Sequence, residues 1–209
     1  MFTGLIEATG RVERIDARPP GRVLRVATTL GGELSVGESI AVNGVCLTVA
    51  SCDGAGFEAV VSPETLRVTT LLTTSEGRLV NLERPLRADA RFGGHFVLGH
   101  VDGVGRVTAL RPEGDCHWLE VETPAALSPY IIHKGSIAID GISLTVASLT
   151  AATVGVQIVP FTFAETTLRE IRAGDAVNLE ADVIGKYVAR LLGDRIAATN
   201  VGAGFSPPD

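Results

Sequence analysis

The chain is 209 residues long, 45% hydrophobic and 20% charged, a globular composition with material for one ordinary domain or two small ones. Its net charge of −6 argues against a phosphate-backbone partner, which needs clustered Lys and Arg, so no nucleic acid is expected. No long apolar run is present and MFTGLIEATG has neither a basic start nor an apolar signal core, so neither a membrane span nor a secretory signal is expected. Cys46, Cys52 and Cys116 form no CxxC and suit a reducing cytoplasm, not a disulfide framework.

In chain order, short segments rich in Val, Ile, Leu and Thr alternate with turn formers. RVLRVAT, SIAVNG, VCLTVAS, GFEAVV and RLVNLE read as strands, separated by Arg18-Pro19-Pro20-Gly21, Gly31-Gly32, Asn43-Gly44 and Asp53-Gly54. Asn-Gly and Asp-Gly between alternating apolar residues are hairpin signals, because both central positions of the tight turn need positive φ. PETLRVTTL, and later FAETTLREI, read as short helices.

Beyond residue 98 the pattern starts again. SIAVNGVCLTVA at 39–50 and SIAIDGISLTVA at 136–147 agree at eight of twelve positions, an offset of 97. The same offset relates Pro63-Glu64-Thr65 to Pro160-Phe161-Thr162, Thr69-Thr70-Leu71 to Thr166-Thr167-Leu168, and Val80-Asn81-Leu82-Glu83 to Val177-Asn178-Leu179-Glu180. Gly4, Gly10, Arg11 and Val12 match Gly99, Gly105, Arg106 and Val107 at an offset of 95. The chain is therefore a tandem duplication. Short, evenly spaced strands predict a mainly β fold of two tandem six-stranded antiparallel, Greek-key-like barrels, since closure removes exposed edges. The expected divisions are 1–95, 96–182, a C-terminal helix over 183–197 and a loose tail over 198–209. In that helix Val183, Ile184, Tyr187, Val188, Leu191 and Leu192 share one face, to be buried on its own barrel or against another copy.

Alternation along a strand divides VCLTV and ISLTV into two rows. Val45, Leu47 and Val49, like Ile142, Leu144 and Val146, belong to a core. Cys46 and Thr48, like Ser143 and Thr145, form a short, uncharged, hydrogen-bonding row, which leaves room for a flat ring to lie close to the sheet. Two such faces imply two copies of one ligand or two ligands of one shape. GGHFVLGHVDG places His95 and His100 near glycines that permit a close ligand approach; without acidic or Cys neighbours at suitable spacing, no metal is expected. The chain has sixteen Arg and only two Lys, Lys134 and Lys186. Lys134 precedes the second motif, and Asp140 stands where the first copy has neutral Asn43, so the copies have diverged in charge.

MFTGLIE, NGVCLTV, PETL, VNLER, GGHFVLGHVDG, KGSIAIDGISLTV and VNLEADVIGKY together resemble riboflavin synthase of the alpha-chain type, from Met1 to about Leu192. The resemblance implies a cofactor-free dismutation of two molecules of 6,7-dimethyl-8-ribityllumazine. One gives a four-carbon unit to the other, yielding riboflavin and 5-amino-6-(ribitylamino)uracil. It also implies a cytoplasmic homotrimer held by the C-terminal helices, with the working site between the first barrel of one subunit and the second barrel of a neighbour. A lumazine synthase shell is a further partner it allows. By the same resemblance His100, Cys46, Ser143, Lys134 and Asp140 are the expected catalytic groups. His100 is the base, Ser143 or Cys46 assists addition or orients a water, and Lys134 stabilises negative charge on a deprotonated ring. The implied ligand contacts are Gly4, Leu5, Ile6, Ser39, Cys46, Leu47, Thr48, the segment Val60, Val61, Ser62, Pro63, Glu64 and Thr65, then Gly99, His100, Val101, Lys134, Ser143, Leu144, Thr145 and the segment Val159, Pro160, Phe161, Thr162, Phe163 and Ala164. SPETL against VPFTF is a departure, because Phe161 and Ala164 stand where polar residues are expected. A non-catalytic lumazine or flavin carrier of the same fold is the alternative.

Overall fold

The computed structural model describes residues 1–202, with side chains described as far as Gly193. Strands β1 (Ala8–Arg18), β2 (Gly21–Ala27), β3 (Ser39–Val42), β4 (Val45–Asp53), β5 (Gly56–Val61) and β6 (Leu79–Glu83) close into a barrel in the order β1-β2-β5-β4-β3-β6. Strands β7 (Gly103–Glu113), β8 (Cys116–Glu122), β9 (Ser136–Ile139), β10 (Ile142–Leu149), β11 (Thr153–Ile158) and β12 (Ala176–Ala181) close a second barrel in the equivalent order β7-β8-β11-β10-β9-β12. All pairings are antiparallel. Irregularities recur at matching places: between Val12 and Arg14 in β1 and Val107 and Ala109 in β7, and again between Val49 and Ser51 in β4 and Val146 and Ser148 in β10. Bulges bend a strand and increase its twist, so conserving their positions conserves barrel curvature in both halves.

The alternation expected along β4 and β10 holds. Val45, Leu47 and Val49 are buried while Cys46 is half-buried and Thr48 exposed; Ile142, Leu144 and Val146 are buried while Ser143 is half-buried and Thr145 exposed. These inner rows join separate cores, one around Phe57, Ile40 and Leu82 and the other around Leu119, Ile137 and Ile158. Full burial of each such side chain is worth about 1.5–3 kcal/mol.

Helix α1 (Pro63–Val68) begins with proline in its first turn, and the Ser62 side chain accepts a hydrogen bond from Thr65 N. Its counterpart α2 spans Pro160–Glu165, earlier than FAETTLREI predicts, because proline presets the helical φ there and Thr166 then caps a separate 3-10 turn over Thr167–Arg169. Val159 replaces Ser62 at the cap and makes no such bond. Helix α3 spans Val183–Gly202, past residue 197 where the sequence reading ends it; residues 203–209 of the expected tail lie outside the described residues. No helix among the described residues is long and apolar enough to cross a membrane.

The barrels meet at their tight turns. Asn43 and Asp140 both have φ of 46°, and the glycines after them have φ of 73° and 79°, a pair of positive values that type I′ turns demand. The two turns lie back to back. A Cβ on Gly44 would stand 2.7 Å from Gly141 N, and one on Gly141 would stand 2.7 Å from Gly44 N, so only glycine permits this approach. Around them Asn81 N donates to Asn43 Oδ1 (2.7 Å) and Asn178 N to Asp140 Oδ1 (2.8 Å). Asn81 Nδ2 donates across the seam to Asp140 O, and Asn178 Nδ2 to Asn43 O, both at 2.9 Å. Buried amides thus satisfy one another in an almost symmetric network.

Candidate functional site

The segments before each barrel are exchanged between halves. Phe2 N donates to Val97 O and Val97 N to Phe2 O, pairing the two segments with each other. From this crossing, residues 3–6 run onto the second barrel, where Gly4 O accepts from Ser143 N at 2.8 Å and Ile6 packs against the second core. Residues 98–101 run onto the first barrel, where Gly99 O accepts from Cys46 N at 2.9 Å and Val101 packs against the first core. Gly4 and Gly99 have φ of 77° and 78°; a Cβ on either would meet the Cβ of Ser143 or Cys46 at 2.6 Å. Each strap is therefore seated directly on the short polar row of the opposite half, which needs both the glycine and the small facing residue.

Buried carboxylates hold the straps. Glu83 of β6 accepts from Thr3 N (2.6 Å), Thr3 Oγ1 (2.7 Å) and Gly4 N (2.9 Å). Glu180 of β12 accepts from Leu98 N (2.7 Å), Gly99 N (3.0 Å) and His100 N (3.1 Å). Burial pushes both carboxyls above the usual range, and the strap hydrogen bonds pull them back.

The first-barrel face is made by Cys46 and Thr48, with Ser39 paired opposite Thr48 and the strap Gly99, His100 and Val101 beside them. His100 is exposed, as are Val60 on β5 and Ser62, Pro63 and Glu64 at the start of α1; Thr65 is half-buried. Cys46 packs against the apolar cluster of Phe2, Ala41, Val97 and Ala138. Leu47 and Val61, expected among the contacts, turn their side chains into the core instead, as does Leu144 in the second half.

The second-barrel face is made by Ser143 and Thr145, with Gly4, Leu5 and Ile6 over it and Ser136 paired opposite Thr145. Val159, Phe161 and Ala164 are exposed, Phe161 at 76%, while Phe163 stacks on His117 with ring centroids 3.7 Å apart. Lys134 is exposed with φ of 65° and stands where the first half has Gly37, φ 90°; Lys134 N donates to Val146 O as Gly37 N does to Val49 O. A lysine in the left-handed region costs about 1–2 kcal/mol, a strain of the kind that collects at working sites.

Two residues of this face are absent from the implied catalytic groups and ligand contacts. Ser136 is the repeat partner of Ser39 and could have been found by applying the offset to every contact residue. His95 lies beside Ser143: its Nδ1 is 2.7 Å from Ser143 Oγ, while its Nε2 is buried with no hydrogen-bond partner among the described residues. Burial holds the His95 imidazole below its ordinary pKa, hence neutral, and a neutral ring can accept the serine proton. HFVLGH shows two histidines equally, and only the fold distinguishes them. Asp140, expected among the catalytic groups, is instead 3% exposed and sits in the inter-barrel seam, where it accepts from Asn178 N, and not on the face that carries Ser143 and Thr145.

The lumazine binding domain family matches residues 3–85 and again residues 98–182. Riboflavin synthase of Actinobacillus pleuropneumoniae is 44% identical over 193 residues, covering 92% of this chain and 90% of that protein. The chain belongs to the riboflavin synthase family. The riboflavin synthase of Brucella abortus (strain 2308) is 41% identical over 197 residues, 91% of this chain and 98% of that protein. Among solved structures, LumP complexed with riboflavin superposes with a TM-score of 0.81 over 87% of this chain and 99% of that one. LumP complexed with 6,7-dimethyl-8-(1'-D-ribityl) lumazine gives 0.79; at 22% identity both show a shared fold. Within the riboflavin synthase family framework, the two matched units correspond to the two barrels, and each ends just after the carboxylate that clamps its strap.

Proposed function

We propose that this chain is a riboflavin synthase that dismutates two molecules of 6,7-dimethyl-8-ribityllumazine into riboflavin and 5-amino-6-(ribitylamino)uracil, using no cofactor. The observation that carries this reading is the pair of equivalent faces, each a short polar row roofed by the strap of the other half. Donor and acceptor are the same compound, so a duplicated receptor holds both, and divergence between its copies assigns them unequal parts. Ser143, bonded to a neutral buried His95, is the group able to lose a proton and add to, or direct water onto, an electrophilic ring carbon. Cys46, set among apolar side chains, has no such base hydrogen-bonded to its thiol among the described residues. Lys134 stands beside the second face as a cation for negative charge developing on a deprotonated ring, and His100 serves the first face. Holding two rings in fixed relation supplies much of the rate, since it replaces an encounter of two solutes.

The assembly that brings a first face to a second is a homotrimer through α3. Ile184, Tyr187, Val188, Leu191 and Leu192 are 48–68% exposed on this helix, a row of apolar surface that water disfavours. A lumazine or flavin carrier is the competing reading. Incubating the purified protein with the lumazine alone distinguishes them: flavin absorbance appears if it is a synthase, and bound lumazine that stays unconverted overturns this reading.

A further inference from the structure

The two straps are clamped alike by Glu83 and Glu180, but what lies behind each clamp differs. At the end of the first strap Glu7 accepts from Arg84, whose Nε is 2.7 Å from Glu7 Oε2 and whose Nη1 is 2.7 Å from Glu33. These partners all belong to the first half. At the end of the second strap Asp102 takes the place of Glu7. Its Oδ2 accepts from Ala181 N at 2.8 Å, and its Oδ1 lies 2.6 Å from Lys186 Nζ. Lys186 is one of only two lysines in the chain, and it stands on α3. The Lys186 and Asp102 side chains are 26% and 24% exposed, so the pair is partly withdrawn from solvent screening.

The second strap is the one that crosses to the first barrel and lies on Cys46. A continuous set of polar contacts therefore runs from α3 through Lys186 and Asp102 to the strap, which Glu180 grips by three backbone N–H groups, and on to Gly99 against Cys46. The contact at Gly99 has no slack, since a Cβ there would already collide with Cys46, so small strap displacements are felt at the face. We propose that Lys186, Asp102 and Glu180 are positioning residues for the first-barrel lumazine face, so that the seating of α3 governs that face and leaves the second-barrel face to Glu83, Glu7 and Arg84. This deepens the reading of the two faces as lumazine sites and rests on it.

Cys46 supplies a reporter specific to one face. In the full-length protein, alkylation of Cys46 by N-ethylmaleimide, followed by peptide mass analysis to separate it from Cys52 and Cys116, is measured against increasing 6,7-dimethyl-8-ribityllumazine. The lumazine concentration that half-protects Cys46 is expected to rise about tenfold in Lys186→Met and in Asp102→Asn, and the double variant is expected to be no worse than either. Lys186→Arg restores protection to near the wild-type concentration. Arg84→Met, the matching change in the first half, leaves Cys46 protection unchanged. Sedimentation of the same samples records their assembly. Equal half-protection in Lys186→Met and wild type, or a loss confined to species that sediment more slowly, overturns the inference. Wild-type protein whose Cys46 gains no protection from the lumazine instead overturns the functional reading.

Discussion

Replacing Asp140 by Asn tests the seam, because the chain contains its own control in Asn43. Both side chains sit in equivalent turns and accept an equivalent backbone N–H, yet one is a carboxyl and the other an amide. Burial pushes the Asp140 carboxyl up to about 7, against an ordinary value of 3.8; Arg78 across the seam pulls the other way and Asp175 adds to the rise. Those residues, with Thr70 and Ser75, line a polar cavity of about 190 Å³ at the seam. The folded protein therefore keeps a proton that the unfolded chain releases as pH rises from about 4 to about 7. Stability from this group is full below the unfolded value and is lost as pH climbs through the folded one. At about 1.4 kcal/mol per pH unit the gap sets a ceiling of roughly 4 kcal/mol, and relaxation of the seam brings the expectation to about 2–4 kcal/mol. Asp140→Asn removes that loss while keeping the acceptor for Asn178 N. Urea unfolding at fixed protein concentration should show the variant gaining on the wild type as pH rises, with the difference at pH 8 exceeding that at pH 5 by about 1–3 kcal/mol. Subtracting the two proteins cancels other titrating groups. A variant destabilised equally at both pH values would refute the argument, because Asp140 would then be an ion that Arg78 needs.

His95→Ala should lower kcat about a hundredfold with KM little changed, read from flavin absorbance; a fall under threefold removes His95 from proton transfer. Gly44→Ala and Gly141→Ala should each cost about 2–4 kcal/mol in urea unfolding, from left-handed backbone plus collision with the facing turn. An unaltered unfolding midpoint would mean that the turns are free to separate. Leu191→Glu, on the exposed row of α3, should give smaller species in sedimentation and reduced activity, and an unchanged sedimentation coefficient would exclude that row from the assembly contact.

Periodicity reads well wherever one strand decides its own faces. A pleated strand sends alternate side chains to opposite sides, so Leu47 inward and Thr48 outward follow from order alone. The Asn43-Gly44 and Asp140-Gly141 hairpins were equally legible, since few residue pairs accept two positive φ values. The start of α2 was misplaced because Phe163 and Ala164 appear more helical than Pro160, whereas proline's fixed φ decides where the turn begins. The resemblance singled out His100, and the order of residues gave no sign of His95, since its contact with Ser143 arises only when the two halves cross.

By itself the sequence determined the duplication, the two closed barrels, their inner and outer rows, and the polar row each offers a flat ligand. It determined these because each depends on near neighbours: alternation, turn chemistry and a repeat spacing. The tertiary structure alone decided that Gly4 lies on Ser143 and Gly99 on Cys46, that Asp140 belongs to a seam, and that Lys186 reaches Asp102. Two nearly identical faces present the same local code to either strap. Which strap takes which face is settled only by contacts distant in sequence, the Phe2–Val97 pairing and the Glu83 and Glu180 clamps, which form when both barrels have closed.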